Sequence, residues 1–106
     1  MNRGEVWWAN LPAPTGRRPV VLLSRDRAIR VRESVTVAQV TTTVRRIPTE
    51  VPLGAEDGMP RACVINADVI MTIPKRTLSG RICALSTAKV SALREAVGFA
   101  LGLDEG

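Results

Sequence analysis

With 106 residues, a net charge of +5 and 45% hydrophobic residues, the chain can bury one core and is too short for two. It has no histidine, which removes the commonest general base and the commonest metal ligand together. Thirteen of its fifteen cations are arginine, whose planar fork of donors matches a phosphate where lysine offers a point charge. That bias points to an anionic partner, nucleic acid first, with a solubilising surface as the alternative. The two cysteines, Cys63 and Cys83, stand in apolar stretches and are expected to be free, buried thiols in a reducing compartment. Two thiols without histidine make no zinc site, and no other metal or cofactor site is expected. No apolar run is long enough to span a membrane and the N-terminus has no export signal, so a soluble, cytoplasmic protein is expected.

Along the chain, Glu5 to Leu11 predicts a first strand in which Trp7 and Trp8 point to opposite faces, one toward the core and one toward a groove. Pro12 to Gly16 predicts a tight connector. Gly16-Arg17-Arg18-Pro19-Val20-Val21-Leu22-Leu23-Ser24 then sets two guanidiniums directly before an apolar run that fits a strand covered on both faces. Pro19 is expected to be the first residue of that strand, where its missing N–H is tolerated. Arg25 to Glu33 holds four arginines and predicts a turn or one short helix with a solvated charged face. A third strand is predicted from Ser34 to Thr42, with Val35, Val37, Gln39 and Thr41 on one face and Thr36, Ala38 and Val40 on the other.

Thr49 to Leu53 predicts an edge strand, and Ala62–Asn66 and Val69–Ile73 predict two short strands with a kink at Ala67-Asp68. A helical turn near Lys75 and a last strand from Gly80 to Leu85 follow. Ser86 predicts an N-cap for a helix whose apolar stripe is Val90, Leu93, Val97 and Leu101, with Gly102 as its terminator. The fold class expected is mainly β with a C-terminal helix, a small bent antiparallel barrel forming a single domain over residues 1–106.

The order of these pieces resembles the MazF/PemK family of bacterial toxin endoribonucleases nearly end to end. Arg3-Gly4-Glu5-Val6-Trp7 is similar to the family's opening strand, the Gly16-to-Val21 run to its arginine-proline motif, and Val37-to-Thr42 to its threonine strand. Val64 to Ile73 resembles the fifth-strand region, and Leu85 to Leu103 the closing helix. The connector Pro12–Gly16 is shorter than the loop many relatives carry there. The resemblance implies an SH3-like barrel of the CcdB/MazF type, a homodimer, and cofactor-free and metal-free cleavage of single-stranded RNA, restrained by a cognate antitoxin protein. It also implies that Arg18 and Thr41 form the catalytic pair.

An RNA-cutting protein can borrow its nucleophile from the substrate. It need only align the 2′-hydroxyl with the phosphorus, stabilise charge on the phosphoryl oxygens and help the 5′-oxygen leave. Arg18 suits charge stabilisation, since its permanent charge makes it a poor proton donor, and the neutral hydroxyl of Thr41 suits positioning. Arg17, Thr42, Thr43, Arg45 and Arg46 are candidates for holding flanking RNA, and Asn66 and Asp68 for reading base edges, with kink formation as their alternative role. Two other functions compete: a gyrase poison of the same fold, disfavoured by a chain end without an aromatic in Leu103-Asp104-Glu105-Gly106, and a noncatalytic RNA-binding barrel.

Overall fold

The computed structural model describes residues 1–103; Asp104, Glu105 and Gly106, part of the chain end just considered, lie outside the described residues. In chain order the elements are β1 (Glu5–Asn10), β2 (Arg17–Leu22), α1 (Asp26–Val31), β3 (Ser34–Thr41), β4 (Glu50–Leu53), β5 (Cys63–Pro74), β6 (Leu78–Ala84) and α2 (Thr87–Ala100). Single 3-10 turns at Ala55–Asp57 and Lys75–Thr77 join β4 to β5 and β5 to β6. The six strands make one antiparallel sheet in the order β4-β5-β3-β2-β1-β6, curled into a half-barrel beside the closing helix, as expected.

The apolar run after Arg18 is covered on both faces. Val20, Val21 and Leu22 are each 0% exposed, which contributes about 1.5–3 kcal/mol per side chain by burial. Alternation divides the strands between two cores. Val6, Val21, Ala38, Val40 and Ile65 meet Leu93 and Ala96 of α2 on one side. Ala9, Val20, Leu22, Val35 and Val37 meet Ile29 of α1 on the other. This split is the two-face pattern expected for β3.

Pro19 is not the first residue of β2 but its third, paired with Trp8 of β1. The reason lies in which neighbour each N–H faces. Leu23 N–H donates to Thr36 on the β3 side and Leu22 C=O accepts from Gly4 on the β1 side, so by two-residue alternation the missing N–H of Pro19 falls on the β3 side. The β2–β3 ladder runs only from Leu22↔Val37 to Val20↔Gln39. A proline at the point where one ladder ends removes no hydrogen bond from the other.

The two strands expected around Ala67-Asp68 are one, β5, with a wide bulge. Ala38 pairs with Ile70 and Gln39 with Asn66, leaving Ala67, Asp68 and Val69 without partners on β3. Asn66 Oδ1 accepts from Asp68 N–H at 3.0 Å, Asp68 Oδ2 accepts from the Thr49 hydroxyl at 2.7 Å, and Ala67 N–H donates to Thr49 C=O at 2.8 Å. Helix α2 starts as expected, with Ser86 Oγ accepting from Lys89 N–H at 3.2 Å. It ends on Gly102 at φ +67°, with Gly102 N–H bonded to Phe99 C=O and Leu103 N–H to Gly98 C=O. Its stripe differs from the one expected: Leu93 and Ala96 are buried, while Leu101 is 59% exposed. The last turn also exposes Phe99, an aromatic that lies just before the Leu103–Gly106 end and weakens the argument against a gyrase poison.

Buried Glu5 ties β1 to its surroundings, its Oε1 accepting from the Trp7 indole N–H at 2.9 Å and its Oε2 lying 3.5 Å from Arg81. Burial opposes the charged carboxylate. The Trp7 bond, a backbone bond with Asn2, the N-terminal charge and Arg81 outweigh that and hold it below its ordinary value of 4.5. A carboxyl with a depressed folded-state pKa contributes stability above its unfolded value, and that stability is lost as pH falls through the folded one. Thermal midpoints measured from pH 6 down to pH 3 should therefore fall less steeply for Glu5→Gln than for the wild type; equal slopes would remove Glu5 from the acid response.

Candidate active site

Extending the β2–β3 register two residues past Val20↔Gln39 sets Arg18 opposite Thr41. The two stand on the same face of the sheet at the place where the strands have stopped bonding. Backbone pairing fixes each from its other side, Arg18 against Ala9 of β1 and Thr41 against Val64 of β5. Both are partly buried, and among the described residues Arg18 has no carboxylate partner within salt-bridge distance. An arginine held rigidly and left unpaired is free to accept an external anion. Thr41 Oγ1 already accepts from Thr43 N–H at 3.2 Å, so its remaining hydrogen is available to donate. That bond favours positioning over base work for Thr41.

The tight connector presents these groups. Leu11 N–H bonds to Gly16 C=O at 3.0 Å, and Gly16 takes the left-handed φ of +67° that the turn back into β2 requires. Arg17, exposed, lays its guanidinium over the Trp8 ring with Cζ 4.3 Å from the centroid. The tryptophan pair is thereby resolved: Trp7 packs against the core shared with α1, and Trp8 points to the opposite face of the sheet, where it lines a pocket with Pro19 and Thr42. Beside Thr41, a pocket of about 170 Å³ is lined by Trp8, Pro19, Thr42, Met59, Arg61 and Cys63 among others. Met59 and Arg61 carried no signal in the sequence, because they reach the site only through the fold of the segment before β5.

Thr42, Thr43, Arg45 and Arg46 occupy the exposed loop that follows. Glu50 organises it, its carboxylate accepting from Arg45 N–H at 2.9 Å and Arg46 N–H at 2.8 Å. These bonds hold Arg46 at a positive φ of 58°, unusual for a residue with a side chain, and neither guanidinium makes a salt bridge among the described residues. Asn66 and Asp68 lie farther along the sheet. Asn66 is 8% exposed with its carbonyl oxygen committed to the bulge, and Asp68 is bonded to Thr49. The structure thus gathers Arg17, Arg18, Thr41 and Thr42 at one edge, sets Arg45 and Arg46 in the adjoining loop, and gives Asn66 and Asp68 a role in shaping β5.

Among the described residues no group of three or more His, Cys, Asp or Glu side chains is gathered closely enough to hold a metal ion. Cys63 and Cys83 are free. Burial pushes the Cys63 thiol up, with Asp57 and Cys83 adding to it, and burial and Asp57 do the same for Cys83. A thiol held protonated is a poor nucleophile, so Cys63 serves the pocket as an apolar wall. Alkylation by iodoacetamide at pH 7.5 should accordingly be slow at both cysteines in the native protein and fast after unfolding; rapid native labelling of Cys63 would contradict this assignment.

A curled antiparallel sheet with a closing helix and a basic, hydroxyl-bearing edge defines a small domain built to handle an anion. The sequence profile of the family described as PemK-like, MazF-like toxin of type II toxin-antitoxin system matches residues 2–101, and the chain belongs to that family. It is 39% identical over 100 residues to the probable endoribonuclease MazF5 of Mycobacterium tuberculosis, covering 93% of this chain and 91% of that protein. To endoribonuclease MazF3 of the same organism it is 41% identical over 87 residues, 82% of this chain and 84% of the other. The solved structure of Mycobacterium tuberculosis toxin MazF-mt6 superposes with a TM-score of 0.85 at 37% identity, covering 92% and 96% of the two chains. A mycobacterial endoribonuclease in complex with its cognate antitoxin does so with a TM-score of 0.86 at 31% identity, covering 97% and 96%.

Proposed function

We propose that this toxin is a cytoplasmic endoribonuclease that cuts single-stranded RNA by transesterification, with Arg18 and Thr41 at the reacting phosphate and a cognate antitoxin as its restraint. The observation that carries the reading is the unpaired Arg18 set opposite Thr41 where the β2–β3 ladder ends, with a Trp8-lined pocket reaching Thr41 from the other face of the sheet. In the reaction the 2′-oxygen bonds to phosphorus and the bond from phosphorus to the 5′-oxygen breaks. The 2′-hydroxyl proton passes to water and the 5′-oxygen takes one from water, leaving a 2′,3′-cyclic phosphate and a 5′-hydroxyl. Arg18 neutralises the charge that gathers on the phosphoryl oxygens, and Thr41 donates to one of them and fixes the line of attack.

Trp8 offers a face on which a neighbouring base can stack, with Arg17, Arg45, Arg46 and Arg61 as contacts for flanking phosphates. An acidic antitoxin segment laid along the same edge would cover Arg17 and Arg18 and block the substrate. Exposed Phe99 in the last turn of α2, and Leu101 and Leu103 just after it, support a homodimer, since large exposed apolar side chains favour association. No helix among the described residues is long and apolar enough to cross a membrane.

The deciding experiment incubates wild-type protein with mixed-sequence RNA and its DNA counterpart in EDTA and maps the ends by sequencing. Discrete RNA cuts with cyclic-phosphate ends and intact DNA are expected. Arg18→Ala should lose roughly 10²–10³-fold in rate, the range for removing one charge-stabilising donor. Thr41→Ser should keep more activity than Thr41→Val. A folded Arg18→Ala protein that cuts at the wild-type rate would sink the mechanism.

A further inference from the structure

The end of the sheet opposite Arg18 and Thr41 carries a second concentration of charge that the proposed chemistry does not use. Helix α1 and its flanks contribute Arg25, Arg27, Arg30 and Arg32, and the turn after β5 adds Lys75 and Arg76. The two segments are joined, Lys75 N–H donating to Glu33 C=O at 2.8 Å and Ser34 pairing with Pro74. Six cations here face only two carboxylates, Asp26 and Glu33, so this surface holds +4 of the chain's +5. Asp26 is itself turned to the backbone N–H of Arg3 at 2.6 Å. Among the described residues none of the six cations makes a salt bridge.

Stability alone does not favour this arrangement. Like charges without partners repel, and cations at Arg25 and Arg27 sit at the positive end of the α1 backbone dipole. Lys75 is the exception, its ammonium donating to Ile29 C=O in the last turn of α1. The five arginines are all exposed. Four of them, all but Arg27, border two clefts that meet at Arg32, one of about 370 Å³ with Arg25, Ser34 and Thr72 in its wall and one of about 540 Å³ with Arg30 and Arg76. Guanidiniums spread along two adjoining clefts, the first also lined by the hydroxyls of Ser24, Ser34, Thr36 and Thr72, suit a chain of phosphates rather than a single ion.

We propose that this surface is a second binding site for RNA, which holds the phosphodiester backbone without reading sequence while a distant part of the same strand is cut. It rests on the endoribonuclease reading for its cleavage assay, but not for its binding assay. β3 spans seven residue steps from Ser34 at the basic end to Thr41 at the cut, about 23 Å at roughly 3.3 Å per residue. That corresponds to roughly seven nucleotides at about 3.4 Å per stacked nucleotide of one strand. A long RNA can therefore engage both ends, and a hexamer centred on its cut site cannot.

The test uses a quadruple variant, Arg25→Gln/Arg30→Gln/Arg32→Gln/Arg76→Gln, with a matching Arg→Lys quadruple as the charge-retaining control. Cleavage of a 30-nucleotide RNA is compared with that of a hexamer holding the same cut site, and binding of the 30-mer is titrated with salt in an Arg18→Ala background. The glutamine variant should lose at least tenfold in kcat/KM on the 30-mer and stay within twofold on the hexamer, and the lysine variant should recover most of the loss. The slope of log affinity against log salt should fall by about 0.7 for each phosphate contact removed. An unchanged 30-mer, or equal losses on both substrates, would overturn the proposal. So would a variant that keeps RNA affinity and loses affinity for an acidic peptide, which would assign the surface to a protein partner. If wild type cuts neither RNA, the endoribonuclease reading falls while the salt slope still decides this one.

Discussion

Backbone bonding between β2 and β3 ends at Val20 because the next position that faces β3 is Pro19, which has no N–H to give. Beyond that missing donor each strand stays bonded to its outer neighbour, β2 to β1 and β3 to β5. Arg18 and Thr41 are therefore fixed from their outer sides, one bringing charge and the other a hydroxyl already oriented by Thr43.

Rigidity at that edge comes from burial elsewhere. Residues alternate between a core under α2 and a core under α1, so β2 and β3 are fixed from both faces, and slipping by one residue would move every apolar side chain to the wrong core. The bulge in β5 and the Glu50 carboxylate hold the flanking segments by polar contacts instead, at Thr49 and at the Arg45-Arg46 backbone. Apolar burial sets the frame and polar contacts set the rim.

A chain with no histidine and two protonated thiols has little means of moving protons by itself. In the proposed reaction a ribose 2′-hydroxyl beside the scissile phosphate would remove most of that need. What would remain for the protein is charge, orientation and grip, which arginine and threonine can supply without titrating near neutral pH. The distribution of charge fits that division, with arginines at both ends of the sheet and only two salt bridges among the described residues.

Local pattern was sufficient for much of this molecule. The two-residue alternation of β3, the apolar run of β2, the Ser86 cap and the Gly102 stop are properties of neighbouring residues, and they appear in the structure within a residue or two. Arg18 is legible as a charge set directly before a buried strand, whereas Thr41 and the pairing of the two come only from the family resemblance. Register then decided that they face one another. Pro19 was misplaced because its tolerance depends on which neighbouring strand its nitrogen faces, and β5 read as two strands because three unpaired residues look like an interruption until the pairing on either side is known. Which tryptophan faces the groove, the positions of Met59, Glu50 and Arg61, and the joining of α1's arginines to Lys75 and Arg76 were likewise invisible in the chain. Sequence determines which residues can form a strand, a cap or a charge; which of them meet is decided by long-range pairing, whose partners lie tens of residues apart and are chosen by the burial of the whole sheet.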